Sequence, residues 1–167
     1  EHLAEMTHLT SLRLSDNNLE GSLPFEFGSL TNLLVLDLNR NQLTGGLEKL
    51  DTLVNLEELY LSCNSFEELL SPNSFQHLSN LRVIDASKNG LVGSLPNALR
   101  RFSNLNHMDL SYNSLDGHIG EFEENHPLQY LDLSHNLFGG GLPISISQLS
   151  ALTHLDISYN RFSSGIP

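Results

Sequence analysis

Three stretches of this sequence repeat one spacing of titratable and aromatic side chains. Each carries an aspartate with a histidine or tyrosine two residues before it and another three residues after it. The nine residues are His107, Asp109, Tyr112, Tyr130, Asp132, His135, His154, Asp156 and Tyr159. Carboxylates can attract a cation or work in pairs as acid and base, imidazoles can bind a metal, and tyrosines offer rigid area with a hydroxyl. Which of these kinds of chemistry is possible depends on the secondary structure that positions the side chains.

That spacing belongs to a repeat of 23 to 25 residues that runs along the whole chain. The pattern LxxLxLxxN begins at Leu9, Leu33, Leu56, Leu81, Leu105, Leu128 and Leu152. It closes each time on an asparagine: Asn17, Asn41, Asn64, Asn89, Asn113, Asn136 and Asn160. We therefore expect one repeat domain over residues 1–167. Residues 1–8 match the end of a preceding repeat and the seventh repeat is incomplete, which is typical of an internal fragment.

Within each repeat, apolar and polar residues alternate, which is typical of a short strand that buries its leucines and exposes the residues between them. Successive coils would stack these strands into a parallel sheet with a spacing of ~4.8 Å. Each closing asparagine falls where the chain turns away from the strand. Because its amide can both donate and accept, we predict that the seven asparagines satisfy backbone groups in the turns and have a structural role.

Five repeats continue with a segment that contains glycine followed by leucine or isoleucine. These segments are Gly21-Ser22-Leu23-Pro24, Gly45-Gly46-Leu47, Gly93-Ser94-Leu95-Pro96, Gly140-Gly141-Leu142-Pro143 and Ser164-Gly165-Ile166-Pro167. Together with LxxLxLxxN, they resemble the plant-type extracellular leucine-rich repeat family of receptor kinases, receptor-like proteins and polygalacturonase inhibitors. The resemblance covers essentially the whole chain. It implies an α/β solenoid: a right-handed superhelix with a concave parallel β-sheet, a partial second sheet on the flank, and convex loops with short helical turns.

Two repeats depart from the glycine-bearing segment. The third, at 66–72, contains no glycine, and the fifth reads Gly117-His118-Ile119-Gly120 before an acidic run. We predict that the flank sheet is interrupted at both. The convex back wall of the core is predicted to include Phe25, Phe27, Phe75, Leu99, Phe102, Phe122 and Ile146.

In such a sheet the nine residues named first fall into three columns that cross the strands. Between Arg101 and Arg161 there is no lysine or arginine, against seven acidic residues. We therefore expect the C-terminal half of the concave face to be acidic and aromatic, and we predict that these nine residues form the ligand surface. Tyrosine supplies rigid contact area, and a desolvated aspartate favours a cation on the partner.

The net charge of −12, from 20 acidic and 8 basic residues, argues against nucleic acid and against direct membrane contact, since both attract clustered lysine and arginine. A protein, peptide or glycan with a basic or neutral surface fits better. No metal or cofactor is predicted, because His107 and His154 would lie two strands, roughly 10 Å, apart. Neighbouring carboxylates would lie near the separation used by retaining glycosidases, but nothing singles out one of them as the acid, so no enzyme is predicted.

These observations favour a non-catalytic recognition module that binds a ligand or protein through its concave face. The resemblance implies a receptor-like or inhibitor-like protein at the cell surface or outside the cell. The alternative is a structural or scaffold leucine-rich-repeat protein, of intracellular or bacterial origin.

Overall fold

The protein, in a computed structural model that describes residues 5–167, is a stack of coils joined by one continuous parallel sheet. Each coil contributes one three-residue strand. In chain order the seven strands are β1 (Ser11–Arg13), β3 (Val35–Asp37), β5 (Glu58–Tyr60), β7 (Val83–Asp85), β9 (His107–Asp109), β11 (Tyr130–Asp132) and β13 (His154–Asp156). The predicted solenoid is confirmed. Of the segment predicted to end a preceding repeat, residues 1–4 lie outside the described part.

The core lies directly behind the strands, as the alternation of leucine with polar residues requires. The middle residue of each inner strand is fully buried, as at Leu36, Leu59 and Leu131, whereas its two neighbours are partly exposed. Each buried leucine contributes roughly 2 kcal/mol relative to exposure. Because every coil packs on the next, this contribution is distributed along the whole stack.

The flank carries a second set of short strands that is broken into three pieces. The pieces are β2 (Glu20–Ser22) with β4 (Gln42–Gly45), β6 (Leu69–Leu70) with β8 (Val92–Ser94) and β10 (Ser114–Asp116), and β12 (Gly139–Gly140) with β14 (Arg161–Phe162). The partial flank sheet is confirmed, and it is interrupted on one side of the third repeat and on one side of the fifth, the two repeats at which interruption was predicted. The third and fifth repeats both supply strands, β6 and β10, which pair with β8. The breaks lie outside them, between β4 and β6 and between β10 and β12.

The convex side consists of loops and 3₁₀ turns. The described 3₁₀ helices span Phe25–Ser29, Leu47–Thr52, Ala98–Arg100 and Ile144–Gln148. Most of the predicted back wall is buried, but Phe25 is 83% exposed, so the prediction that it belongs to the core is wrong. Phe25 opens its 3₁₀ helix directly after Pro24, and it is Phe27, two residues on, that packs into the core. No helix in the described residues has the length and apolar character needed to cross a membrane.

The asparagines that close the repeats lie in the turns behind the strands. Asn136 is buried, and its Nδ2 donates to the carbonyls of Leu110 at 2.9 Å, Leu133 at 3.2 Å and Ser134 at 3.2 Å. Its Oδ1 accepts the backbone N–H of Leu115 at 3.0 Å. The same four-bond arrangement recurs at Asn41, Asn64, Asn89, Asn113 and Asn160. Each amide therefore ties its own turn to the preceding coil through two hydrogen bonds.

A second set of asparagines, three residues before the concave strands, was not predicted from the sequence. Asn32, Asn55 and Asn80 each donate from Nδ2 to a backbone carbonyl of the preceding coil, at 2.7 to 2.9 Å. Each stands directly before the leucine that opens a repeat, so a recurring asparagine at that place was the available signal. These bonds tie consecutive coils together where the chain approaches each concave strand.

Candidate ligand surface

The concave sheet brings all nine predicted residues together on the last three strands. The strand register pairs Tyr130 with His107 on one side and His154 on the other, and Asp132 with Asp109 and Asp156. Tyr112, His135 and Tyr159 follow their strands by three residues, just before the closing asparagines. The nine side chains therefore form two aromatic rows with a row of carboxylates between them in sequence register.

The first aromatic row is a continuous stack of rings. The ring centroids of His107 and Tyr130 are 4.3 Å apart with an interplanar angle of 14°, and those of Tyr130 and His154 are 4.2 Å apart at 6°. The spacing of neighbouring strands sets this separation. Because the ring faces cover one another, the row presents its ring edges, the tyrosine hydroxyl and the imidazole nitrogens to a ligand.

The second aromatic row stacks in the same way. The centroids of Tyr112 and His135 are 4.0 Å apart, and those of His135 and Tyr159 are 4.1 Å apart. All three residues have left-handed backbone conformations, with φ of 52° to 53°. The residue before the closing asparagine adopts this conformation in every repeat, at Asp16, Arg40, Cys63, Lys88, Tyr112, His135 and Tyr159. The left-handed turn before each closing asparagine therefore forms with acidic, basic, aromatic and cysteine side chains alike.

The carboxylates between the two rows are oriented by the turn that follows each strand. Asp109 Oδ1 accepts the backbone N–H of Ser111 at 2.9 Å and its hydroxyl at 2.7 Å. Asp132 and Asp156 accept the N–H two residues on at 2.8 and 2.9 Å. One oxygen of each carboxylate is therefore held by the protein, and the other has no hydrogen-bond partner among the described residues.

Asp85 extends this carboxylate row by one strand and was not included in the predicted surface. The register places it beside Asp109, and its Oδ1 accepts the N–H and the hydroxyl of Ser87 at 3.0 and 2.7 Å. The signal in the sequence was an aspartate followed two residues later by serine, as at Asp109, Asp132 and Asp156. We name these four residues, Asp85, Asp109, Asp132 and Asp156, the aspartate row.

No lysine or arginine among the described residues forms an ion pair with the aspartate row. The N-terminal coils differ, because Arg13 lies 3.6 Å from Asp37 and Arg40 lies 3.2 Å from Asp16. Beside the second aromatic row, the Nζ of Lys88 lies 5.9 Å from the centre of the Tyr112 ring. Negative charge is thus compensated at one end of the sheet and uncompensated at the other.

The uncompensated charge changes the acidity of groups at its centre. Burial raises the pKa of Asp109, the hydrogen bonds from Ser111 oppose this, and the charges of Asp85 and Asp132 add to it. Burial, followed by the charges of Asp109, Asp132 and Asp156, raises the pKa of Tyr130. At the end of the row the balance reverses, since the hydrogen bonds from Ser158 lower the pKa of Asp156. The centre of the row is therefore the place where a cation would be most stabilised.

Asp109→Asn and Asp156→Asn should change stability in opposite directions at neutral pH. The folded state raises the pKa of Asp109, so its ionised form disfavours folding, and the amide, which keeps an acceptor for Ser111, should raise Tm by roughly 1–3 °C. That gain should shrink as pH falls through the folded pKa of Asp109. The folded state lowers the pKa of Asp156, so its ionised carboxylate stabilises the fold, and this contribution is lost as pH falls through its folded pKa. Asp156→Asn should therefore lower Tm at neutral pH but not in acid.

Thermal unfolding of both variants and the parent chain between about pH 3 and pH 7 measures this contrast. The two substitutions are chemically identical and differ only in position along the row. Equal Tm changes for the two variants at neutral pH would contradict the assigned electrostatics.

The histidines do not converge on one point. Tyr130 lies between His107 and His154, and His135 belongs to the other aromatic row between two tyrosines. Within residues 5–167 no group of three or more histidine, cysteine, aspartate or glutamate side chains is arranged to hold a metal ion. The rows alternate imidazole with phenol, so what they share is a line of polar ring edges.

Comparison with known families identifies the repeat over most of the chain. A sequence profile described as "Leucine rich repeat" matches residues 7–66 and 48–91, and a second leucine-rich-repeat profile matches 127–149 and 151–167. Among curated proteins, the chain is 40% identical over 94 residues to Putative receptor-like protein 8 of Arabidopsis thaliana. That match covers 56% of this chain and 9% of the relative, so the chain corresponds to a small part of the curated protein.

Solved structures show the same architecture over the full length of the chain. The HAESA receptor kinase of Arabidopsis, in a complex described with the peptide hormone IDA and the co-receptor SERK1, superposes with a TM-score of 0.92 at 34% identity. The ectodomain of the Arabidopsis receptor kinase GASSHO1/SCHENGEN3, in complex with CASPARIAN STRIP INTEGRITY FACTOR 2, superposes with a TM-score of 0.91 at 34% identity. These matches cover 99% and 100% of this chain, but only 28% and 20% of the receptors.

Proposed function

Because this chain belongs to the leucine-rich-repeat family, and its relatives are plant receptor-like proteins and receptor ectodomains, we propose that it is the recognition segment of a receptor-like protein. In this proposal it binds a peptide or protein ligand on its concave sheet. The ectodomain relatives support a position at the cell surface or outside the cell. The segment itself performs no chemistry on its ligand.

The observation that carries this proposal is the aspartate row between two aromatic rows. Four carboxylates in adjacent strands keep one oxygen each without a partner in the described residues, and the centre of the row is partly buried. Like charges at this spacing repel one another, which raises the electrostatic energy of the free protein. A cation on the ligand would reduce this repulsion. The ring edges on either side supply hydroxyl and imidazole groups that fix a peptide backbone or a polar side chain.

A peptide with lysine or arginine side chains is the ligand chemistry that this surface fits best. An arginine fork can pair with a carboxylate through two N–H groups, and its plane can stack on an aromatic ring. The HAESA and GASSHO1/SCHENGEN3 structures are each described in complex with a peptide hormone or with an integrity factor, which supports a peptide as the partner class. All four carboxylates accept the backbone N–H two residues on, so this hydrogen bond does not distinguish one of them as a catalytic acid.

Selection of random peptides on the immobilised chain tests this proposal. Selected peptides should be enriched in lysine and arginine, and Tyr130→Ala combined with Asp132→Asn should weaken their binding by roughly 10- to 100-fold, because Tyr130 joins two histidines and Asp132 lies mid-row. Affinity should also fall as salt rises.

The matched control makes the same two kinds of change on the convex side: Phe25→Ala combined with Glu26→Gln. Phe25 is 83% exposed and far from the concave strands in the repeat, so this variant should bind the selected peptides as tightly as the parent. Selected peptides without a basic bias would refute the proposed ligand chemistry. Peptides that bind both double variants alike would refute recognition on the concave sheet.

A further inference from the structure

A cavity of about 390 Å³ opens on the flank of the solenoid, away from the concave sheet. One wall is the 3₁₀ helix at Leu47–Thr52 and the other is the segment 68–75 of the next coil. It lies at the break of the flank sheet, where β4 and β6 do not pair. We name it the lateral cavity. None of the nine residues of the candidate ligand surface lines it.

The lateral cavity exists because the third repeat departs from the family pattern. Where other repeats carry glycine, this one reads Phe66-Glu67-Glu68-Leu69-Leu70-Ser71-Pro72. In place of a ladder between β4 and β6, Glu68 Oε1 accepts the backbone N–H groups of Gly46 at 2.8 Å and Leu47 at 3.1 Å. A carboxylate thus bridges the two coils, and the space that a paired strand would fill is left open.

The floor of the lateral cavity is apolar and its rim is acidic. Leu47, Leu70 and Phe75 are buried, whereas Leu69 is 72% exposed at the edge. Three carboxylates contribute to the lining: Glu48, Asp51 and Glu68. A ligand that fits both parts has a hydrocarbon stem and a cationic end.

The carboxylates of the rim are not equally compensated. Asp51 Oδ2 lies 2.5 Å from His77 Nδ1, and Glu48 lies 3.7 Å from the ammonium of Lys49. Glu68 has no ion pair with a cation among the described residues. Burial raises the pKa of Glu68, its bonds to Gly46 and Leu47 oppose this, and the neighbouring carboxyl of Glu48 raises it further.

We propose that the lateral cavity binds an arginine side chain of a partner protein. The guanidinium pairs with Glu68 and Glu48, and the alkyl stem packs on Leu69 and Phe75. Arginine suits this place better than lysine, because its planar fork can bridge two carboxyl groups and is less strongly hydrated than an ammonium. This contact is a second one, on a different face from the concave surface, and it holds whether or not that surface binds a peptide.

Agmatine, which is arginine without its carboxyl group, is the probe. Titrated into the methyl-labelled 167-residue chain and followed by NMR, it should give saturable shifts at the methyl groups of Leu47, Leu69 and Leu70. Glu68→Gln keeps an acceptor for the two backbone N–H groups but removes the charge, and it should weaken agmatine binding roughly tenfold. Leu69→Ala, at a position that is 72% exposed, should weaken it about threefold.

Glu57→Gln is the matched control, since Glu57 pairs with Arg82 at 3.5 Å and does not line the cavity. It should leave agmatine affinity unchanged. 1,4-Diaminobutane, which replaces the guanidinium with a second ammonium, should bind more weakly than agmatine. The proposal is overturned if agmatine gives no saturable shift at these methyl groups, if Glu68→Gln and Leu69→Ala both bind it like the parent, or if the diamine binds equally well.

Discussion

Asn136→Ala is expected to lower the free energy of unfolding by about 4 kcal/mol, a large effect for a single polar substitution. The substitution leaves the N–H of Leu115 without its partner in a buried turn. It also removes one hydrogen bond from each of the carbonyls of Leu110, Leu133 and Ser134, which keep a second donor. Each of those three lost bonds contributes about 0.5–1.5 kcal/mol. Each buried group left unpaired costs about 1–3 kcal/mol. Because Asn136 follows His135, the second aromatic row should be perturbed together with the fold.

Asn17→Ala is the matched control for this prediction. Asn17 closes the first repeat, is exposed, and among residues 5–167 its side chain donates only to the nearby carbonyls of Leu14 and Ser15. It should cost about 0.5–1 kcal/mol. Denaturant unfolding followed by circular dichroism measures both variants, with near-ultraviolet signal reporting on the tyrosines. Similar losses at the two positions would mean that the asparagine turns are stabilised chiefly by something other than contacts between coils.

Gly93→Ala is expected to destabilise the chain by several kcal/mol and to disrupt the central piece of the flank sheet. Gly93 lies in β8 with φ of +94°, and a Cβ there would come within 2.3 Å of the carbonyl oxygen of Leu70. That oxygen is backbone, so it cannot move aside as a side chain would. Only a glycine permits the close approach of β6 and β8.

Gly117→Ala separates the cost of backbone conformation from the cost of contact. Gly117 has a φ of +75°, yet nothing lies within 4 Å of a Cβ built on it. It should therefore show only the conformational penalty of about 1 kcal/mol. Tm and denaturant midpoints compare the two variants, and a Gly93→Ala loss no greater than that of Gly117→Ala would show that the flank strands can separate freely.

The positions of the concave strands were predictable because two independent periods agree. The 23- to 25-residue repeat sets which residues are neighbours, and the alternation within each strand sets which of them are buried. That is why the sequence alone predicts Tyr130 beside His107 and His154. Stacking of the rings and the left-handed turn residues depend on side-chain rotamers and local backbone geometry, on which a repeat pattern carries no information.

The flank sheet was harder to predict, because its pairing depends on two coils at once. The third repeat lacks glycine, yet β6 pairs with β8 since Gly93, in the neighbouring coil, provides the room. The break appears on its other side, where Glu68 takes up the N–H groups of Gly46 and Leu47. The lateral cavity is present because a carboxylate, and not a neighbouring strand, accepts these N–H groups. The amino-acid composition alone did not predict it.

The uneven compensation of charge along the concave sheet also bears on how fast a ligand arrives and in which orientation. Ion pairs near Arg13 and Arg40 weaken the field at the N-terminal coils, whereas the aspartate row leaves it unopposed at the C-terminal coils. A basic peptide that diffuses toward the protein is attracted first to the C-terminal coils. It is therefore oriented relative to the sheet before any specific contact forms. In the proposed function, aspartates that add little to final affinity can therefore still set the association rate and the direction in which a bound peptide lies across the coils.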